Sequence, residues 1–352
     1  MKWEENVRKV VPYVPGEQPQ KKGIIKLNTN ECPYPPSPMV EKKMKELAYE
    51  DLRLYPEFSE KTSLSAELAK YYHVGEDQIF IGVGSDDVLS MAFLTFFNSG
   101  KPVFFPDITY SFYDVWADLY RIPYEVKPLD ENFCIRKEDY LGENGGVIFP
   151  NPNAPTGIFM DVDTIEEIVK ANQDVVVIID EAYIDFGGVS CLPLIEKYEN
   201  LLVVQTFSKS RAMAGSRIGY AIGSKRLIDY LNDAKYSVNS YTMNRPALAI
   251  GAESVKDDAY FKEICGKIMA TRERVAEELK ALGFTFPKSY SNFLFVSHKS
   301  VPAKEIFEKL KEHDIYVRHW DKARISNYLR ITIGTDEQMD ALLAALKEIL
   351  GQ

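Results

Sequence analysis

The chain has 352 residues, of which 45% are hydrophobic and 27% are charged, as in a globular protein with a large core. This length predicts two domains. The formal net charge is −10, and the lysines and arginines are scattered along the chain, so a nucleic-acid-binding protein, which needs a basic face, is not indicated.

Targeting and metal-binding signals are missing from the sequence. Residues 1–9 are polar and charged, unlike a signal peptide, and no apolar run approaches the ~18 residues of a membrane span. We therefore expect a soluble, cytoplasmic protein. The cysteines form no CxxC pair and the histidines add no metal-ligand spacing, so we expect free thiols and no metal. The cysteines are Cys32, Cys134, Cys191 and Cys265.

Seven prolines between residues 12 and 38 forbid long helices there. We therefore expect an N-terminal arm over residues 1–30, and we expect it to pack with the small domain. Apolar runs then alternate with helix-like stretches, which predicts an α/β large domain over residues 31–240 with a mostly parallel sheet covered by helices. The predicted strands are 78–83, 102–106, 146–149, 175–179, 201–204 and 218–222.

Two helices are predicted from their capping signals. One covers residues 163–171, where Asp163 and Glu166 have the spacing of a capping box. The other is the last helix, which Thr335 and Gln338 cap. Its apolar face is Met339, Leu342, Leu343, Leu346 and Ile349. Residues 241–352 are predicted to form a smaller α+β domain. Its other predicted elements are helices at 260–282 and 303–311 and strands at 292–296 and 328–333.

Polar side chains follow the predicted strands, and ligands of parallel sheets bind at that edge. After the first strand, a glycine pair leads into a helix whose N–H groups at Ser85 and Asp86 can hold a phosphate. The alternative is a tight turn with Ser85 as the helix cap. The proline-rich loop 151–157 follows another strand, where Asn153 can present a donor to a ligand oxygen. A purely structural loop remains the alternative.

The two remaining strand ends carry a carboxylate and a lysine. Asp180 follows five β-branched residues, and a carboxylate at the tip of a buried strand calls for a cationic partner such as a protonated pyridine nitrogen. A helix cap is the alternative role. Lys209 lies among small polar residues near Arg211 and Arg217, which favours the neutral amine that forms an imine. Ser208 and Arg217 can hold a phosphate; a surface lysine is the alternative.

Together these segments resemble the signature of the fold-type I, class I/II aminotransferases that depend on pyridoxal 5'-phosphate (PLP). The motifs are NPNAPTG at 151–157, DEAY at 180–183 and SKSRAMAGSR at 208–217. The resemblance implies that Lys209 carries PLP as a Schiff base, that Asp180 pairs with the ring nitrogen, and that Tyr183 bonds the ring hydroxyl oxygen. It implies that the cofactor phosphate is held by Ser85, Asp86, Ser208 and Arg217, the first two largely through backbone N–H groups, and that Thr206 also binds the cofactor.

One position departs from the family pattern. Members of the family have asparagine directly before Pro-Thr-Gly, where it contacts the ring hydroxyl oxygen, and this chain has Ala154 there. We expect Asn153, one residue earlier, to take over that contact.

Further segments resemble the histidinol-phosphate aminotransferase family. They are PYVPG at 12–16, LNTNE at 27–31, LYP at 54–56, PDITY at 106–110, YVR at 316–318 and LRITIG at 329–334. The resemblance implies that Tyr110 stacks on the PLP ring and that Tyr55 reaches the cofactor phosphate of a partner subunit in a homodimer. It also implies a substrate-phosphate site formed by Tyr13, Asn30, Arg318 and Arg330.

The implied reaction is a step of histidine biosynthesis. L-histidinol phosphate and 2-oxoglutarate are interconverted with imidazole-acetol phosphate and L-glutamate, with ping-pong kinetics. A threonine-phosphate decarboxylase and an aromatic-amino-acid aminotransferase are the alternatives on the same scaffold. A PLP-binding regulatory module is disfavoured because only about thirty residues precede the PLP fold, and an NAD site because no G-x-G-x-x-G follows a strand.

Overall fold

The computed structural model describes residues 2–19, 21–56 and 62–351. Residue 20 of the predicted arm and residues 57–61 of the predicted large domain lie outside this range, as do residues 1 and 352. Within it, the strands in chain order are β1 (Ile25–Lys26), β2 (Ile79–Val83), β3 (Val103–Pro106), β4 (Tyr124–Lys127), β5 (Gly146–Pro150), β6 (Val177–Asp180), β7 (Leu201–Thr206), β8 (Ile218–Gly223), β9 (Phe284–Thr285), β10 (Phe293–His298), β11 (Ile315–Tyr316), β12 (Arg318–His319) and β13 (Leu329–Thr332).

The helices lie between most of these strands. They are α1 (Pro38–Glu46), α2 (Ser63–Tyr72), α3 (Gly84–Phe96), α4 (Tyr113–Tyr120), α5 (Val162–Ala171), α6 (Lys225–Val238), α7 (Arg245–Lys256), α8 (Asp258–Ala281), α9 (Ala303–Glu312) and α10 (Asp336–Leu350). Among the described residues, none of these helices is long and apolar enough to cross a membrane.

A seven-stranded sheet forms the centre of the large domain, in the order β2-β8-β7-β6-β5-β3-β4. The strands β7, β6, β5, β3 and β4 pair in parallel, whereas β8 runs antiparallel to both β2 and β7. Strands β3 and β5 to β8 are buried throughout, with apolar clusters on both faces of the sheet. This confirms the predicted class, a mostly parallel sheet between helical layers.

The small domain contains an antiparallel sheet of four strands in the order β12-β13-β10-β9. Helices α8, α9 and α10 cover it, and their apolar faces form one core cluster with it. The arm joins this domain because β1 pairs in parallel with β11, and Leu27 of the arm is buried in the same cluster. Tyr13, which precedes β1 in the arm, instead stacks on Phe112 of the large domain, with 4.1 Å between ring centroids.

The packing of α7 bears on the boundary predicted at residue 240. This helix contacts α1 and α2, and its residues Ala247, Ile250 and Val255 belong to the same core cluster as the large sheet. We therefore propose that the large domain extends to about Lys256 and that α8 begins the small domain.

The structure confirms one of the two predicted helix caps, contradicts the other and contains an edge strand that was not predicted. The capping box of Thr335 and Gln338 at the start of α10 is confirmed. For α5 the prediction was wrong, because Asp161 is the N-cap and its carboxylate accepts the N–H of Thr164. The edge strand β4 was missed because it is exposed and shows no continuous apolar run.

Candidate active site

Two adjoining cavities lie at the carboxyl edge of the large sheet. The strand-end cavity, of about 180 Å³, is lined by Ser85, Asp86, Tyr110, Asp180, Tyr183, Thr206, Ser208, Lys209 and Arg217. The arm cavity, of about 490 Å³, shares Asp86, Tyr110, Tyr183, Lys209 and Arg217 with it and adds Tyr13, Asn30, Arg318 and Arg330. The structure thus brings most of the predicted site residues together around Lys209.

Lys209 lies in the connection after β7, where the strand places it at the edge of the sheet. Its Nζ donates to the main-chain oxygen of Thr29 at 3.2 Å and lies 5.9 Å from the centre of the Tyr183 ring. The amine is only partly buried and faces both cavities. It can therefore reach a carbonyl carbon of a ligand in either cavity.

Asp180 ends β6 with its carboxylate almost entirely buried, at 4% exposure. Burial raises the pKa of Asp180 to about 6, and the negative charge of Asp86 adds to the rise. Three groups oppose this shift: the Tyr113 hydroxyl at 3.1 Å, the Ala182 N–H at 3.2 Å and the positive charge of Lys209. A buried carboxylate with this balance is suited to a cationic ligand atom, whose charge would keep it ionised.

An anion cradle lies at the start of α3. Gly84 begins this helix at φ +82°, and the N-cap residue Val83 provides no side-chain hydrogen bond, so the first N–H groups of the helix can bind a ligand. Arg217 lies so close that a Cβ on Gly84 would be 2.5 Å from its Nη2. The Asp86 carboxylate accepts from Arg217 Nη2 at 3.1 Å and from the Tyr110 hydroxyl at 2.6 Å.

Two hydroxyls complete the cradle from β7. Thr206 Oγ1 accepts the main-chain N–H of Ser208 at 3.1 Å and donates to Ser208 Oγ at 3.0 Å. Both residues are buried and both line the strand-end cavity. Helix N–H groups, an arginine and a hydroxyl form a donor set that fits a phosphate monoester.

Asn30 connects three parts of the chain. Its Nδ2 donates to the Tyr183 hydroxyl at 2.8 Å, and its Oδ1 accepts from Thr332 Oγ1 of the small domain at 3.0 Å. The residue is in the left-handed region at φ 57°, and its carbonyl accepts from Asn292. Asn30 lines the arm cavity as predicted, but its side chain is already used to orient Tyr183.

Two arginines form the far wall of the arm cavity. Arg318 and Arg330 are direct neighbours across β12 and β13, and the Trp320 ring lies 5.4 Å from each guanidinium. Arg330 Nη2 donates to the Asn28 carbonyl at 3.0 Å, whereas its buried Nε has no hydrogen-bond partner among the described residues. Burial lowers the pKa of Arg330, and the charge of Arg318 lowers it further. An anionic ligand would relieve both effects.

The structure places two predicted residues elsewhere. Asn153 is turned away from both cavities: its Nδ2 donates to the Ile108 carbonyl and to Thr156 Oγ1, and its Oδ1 accepts from Thr109. Because both N–H groups of the amide are used, the geometry opposes Asn153 as the donor to a ring oxygen, and Ala154 forms the wall instead.

Tyr55 lies outside both cavities, with 77% of its surface exposed, and stacks on Tyr241 at 4.6 Å. Its predicted contact with the cofactor of a second subunit stays a prediction.

Several residues of the site were not predicted from the sequence. Tyr113 donates a hydrogen bond to Asp180, the Trp320 ring lies 5.4 Å from both guanidinium groups, and the Thr29 carbonyl accepts from Lys209. Tyr113 had a usable signal, because it follows Tyr110 by three residues at the start of a helix. In the parts of the chain that the structure describes, no group of three or more metal-ligating side chains is found.

A mostly parallel sheet with a lysine, a buried carboxylate and an anion cradle at one edge defines a fold-type I, PLP-dependent enzyme. The chain belongs to the aminotransferase class I and II family, whose model matches residues 22–346.

Its relatives in the family are similar over nearly their full length. The chain is 52% identical over 350 residues to histidinol-phosphate aminotransferase from Lactococcus lactis subsp. cremoris, covering 99% of this chain and 98% of the relative. It is 51% identical over 348 residues to that of Clostridium beijerinckii, covering 99% and 97%. The structure of histidinol-phosphate aminotransferase from Sinorhizobium meliloti in complex with pyridoxal-5'-phosphate matches with a TM-score of 0.84 and 25% identity, over 93% of this chain and 91% of that one.

Proposed function

We propose that the chain is a PLP-dependent transaminase that interconverts L-histidinol phosphate and 2-oxoglutarate with imidazole-acetol phosphate and L-glutamate. The observation that carries the proposal is a pair of anion sites, one on each side of Lys209. Arg217 and the start of α3 form one site, and Arg318 with Arg330 forms the other. The first suits the phosphate of PLP and the second the phosphate of the substrate.

The residues of the strand-end cavity fit PLP at each of its polar groups. The cradle at Gly84 and Arg217 would hold the phosphate, Asp180 the ring nitrogen and Tyr183 the ring hydroxyl oxygen. The Tyr110 hydroxyl donates to Asp86, and this hydrogen bond would keep the Tyr110 ring in place against the cofactor. Bound there, PLP supplies a carbonyl carbon that binds amines and a ring that accepts the electrons of a broken C–H bond.

The protein then has to move one proton. With PLP held there, the Lys209 amine would be placed to take the proton from the substrate Cα as a general base and to give it up again as a general acid. The Thr29 carbonyl, 3.2 Å away, accepts a hydrogen bond from the amine and keeps it close. Asp180 would keep the ring nitrogen protonated.

The arginine pair serves both half-reactions. Guanidinium groups bind phosphate and carboxylate with the same two-pronged geometry. The Nε of Arg330 has no hydrogen-bond partner among the described residues. Arg330 and Arg318 can therefore hold the phosphate of histidinol phosphate and then the distal carboxylate of 2-oxoglutarate. Tyr13 lines the same cavity from the arm.

We also propose that the enzyme acts as a homodimer in the cytoplasm. An apolar groove of about 610 Å³ is lined by Met44, Leu47, Tyr49, Leu52 and other residues of α1, the segment after it and α7. Met44, Tyr49 and Leu52 are each more than half exposed. A second copy covering this face would bury them and bring the exposed Tyr55 towards the neighbouring site.

The proposal is tested by following each half-reaction separately in the PLP-loaded enzyme. Adding L-histidinol phosphate without an oxo acid should convert the cofactor absorbance to that of pyridoxamine phosphate, and 2-oxoglutarate should restore it. Lys209→Ala should abolish both changes. If the wild-type spectrum responds to threonine phosphate or phenylalanine and ignores histidinol phosphate, the substrate assignment is wrong while the PLP site stands.

A further inference from the structure

We propose that Tyr113 is a positioning residue for the cofactor, because its hydroxyl keeps the Asp180 carboxylate in place for the ring nitrogen. This inference rests on the proposed PLP site. It gives a function in the reaction to a side chain that lines neither cavity and acts only through Asp180.

The geometry fixes Tyr113 firmly. It is the first residue of α4 and is completely buried, and its hydroxyl donates to Asp180 Oδ2 at 3.1 Å. Its ring is packed between Phe93 and Phe105, with centroid distances of 6.1 Å and 5.8 Å. The hydroxyl therefore has no room to swing away, and one carboxylate oxygen of Asp180 is held at a fixed place.

The hydrogen bond also affects the charge on Asp180. Taking a carboxylate out of water favours its protonated form, and donated hydrogen bonds favour the ionised form. Oδ1 receives the N–H of Ala182, so Tyr113 is the donor to the other oxygen. Two charged groups also act on Asp180: the charge of Asp86 opposes its ionisation and that of Lys209 supports it.

Tyr113 itself remains a donor across the working pH range. Burial and the neighbouring Asp180 charge raise its pKa well above the usual value, as burial and Asp86 do for Tyr110. Neither phenol can ionise and repel the carboxylate. Removing the Tyr113 hydroxyl should thus let Asp180 keep its proton, and a neutral acid stabilises a protonated ring nitrogen less.

The test is Tyr113→Phe, which keeps the ring and removes the hydroxyl. We expect PLP to bind the apoenzyme about tenfold to a hundredfold more weakly, the usual range for a lost hydrogen bond to a charged group. In holoenzyme with ¹⁵N-labelled PLP, the pH at which the ring nitrogen loses its proton should fall by about one unit. Nitrogen NMR measures this midpoint directly, without turnover.

Tyr140→Phe is the matched control. Tyr140 is as buried as Tyr113, but its hydroxyl has no hydrogen-bond partner among the described residues, so its loss should change neither PLP affinity nor the midpoint. In an Asp180→Asn background, Tyr113→Phe should have little further effect on PLP affinity.

Two results would overturn the inference. Either Tyr113→Phe matches Tyr140→Phe in affinity and midpoint, or it weakens PLP binding equally with and without Asp180, which would show that the hydroxyl acts through packing. Failure of the proposed PLP site would look different, because the wild-type apoenzyme would then not bind PLP at all, and a wrong substrate assignment would leave PLP affinity and the midpoint unchanged.

Discussion

At the scale of single residues, Arg330 is the side chain on which the proposed substrate site depends most. Its Nη2 donates to Asn28, its Nε is buried without a partner among the described residues, and Arg318 lies directly beside it. Two like charges side by side cost free energy, which a dianionic phosphate recovers. In the proposed function, the pair would therefore favour substrates that carry a strong anion.

From this we predict that Arg330→Lys will raise the KM for both histidinol phosphate and 2-oxoglutarate by about tenfold to a hundredfold. Lysine keeps the charge but cannot form two parallel hydrogen bonds. Steady-state kinetics with each substrate varied in turn provides the measurement.

Lys322→Met is the control for that prediction, since Lys322 lines the same cavity from an exposed position. Its loss should change either KM by less than about threefold, as expected of a screened surface charge. Equal effects of the two variants would mean that the cavity attracts anions by charge alone.

Residues at strand ends were predictable from the sequence, and residues in irregular loops were not. Asp180, Lys209 and Arg217 were found because buried strands fix where they emerge. Asn153 was misplaced because nothing in a loop's composition determines which way a side chain points. Tyr113 was overlooked because its neighbour in space, Asp180, is 67 residues away along the chain.

At the scale of elements, the end of β6 carries a second buried acid. Glu181 accepts hydrogen bonds from Ser190, the Cys191 N–H and Gln205, and Gln205 in turn accepts from Tyr72 and Tyr220. Burial raises the pKa of Glu181 from 4.5 to about 7 despite these bonds. The network fastens β6 to β7 and β8 behind the site.

This shift makes a prediction for stability against pH. Because the pKa of Glu181 is higher in the folded than in the unfolded state, the wild type should lose stability relative to Glu181→Gln as pH rises from 4.5 to 7. The whole change is about 3 kcal/mol for a shift of this size. Urea unfolding of both variants at pH 5, 6, 7 and 8 measures it.

Glu166→Gln should behave differently. Lys197 and Tyr198 lower the pKa of the partly exposed Glu166. The stability difference between Glu166→Gln and the wild type should therefore be present and nearly constant between pH 5 and 8, and should shrink only at lower pH, where Glu166 takes up a proton. A Glu181→Gln difference that is equally constant would show that Glu181 is ionised at pH 5.

Strands and helices of the core were easier to predict than the short strands where the arm meets the small domain. Buried strands such as β5 and β7 are continuous apolar runs, and amphipathic helices such as α5 and α10 show a clear period. Two-residue strands such as β1 and β11 form because the arm pairs with the small domain. The local sequence of either segment does not indicate that pairing.

At the scale of the molecule, the proposed dimer predicts that Leu52→Asp will yield monomers. Leu52 is 65% exposed and lines the apolar groove, where a buried charge would oppose association. Sedimentation velocity should show a smaller particle, and PLP should bind more weakly because the partner's tyrosine is lost.

Val189→Asp provides the comparison, since Val189 is 62% exposed but lies outside the groove. This variant should sediment like the wild type. If Leu52→Asp also sediments like the wild type, the groove is not the dimer interface.

The antiparallel direction of β8 determines which residues the connection after β7 brings to the site. Because β7 and β8 are hydrogen-bonded neighbours, with Thr206 opposite Gly219, the connection between them returns to the same edge and carries both Lys209 and Arg217. The proposed covalent anchor, Lys209, and the proposed phosphate ligand, Arg217, therefore belong to one hairpin, and main-chain hydrogen bonds between β7 and β8 hold its two ends together. Arg318 and Arg330 lie on β12 and β13 of the four-stranded sheet. In the proposed function, the groups that hold the cofactor would thus come from the large sheet and the groups that hold the substrate anion from the small one.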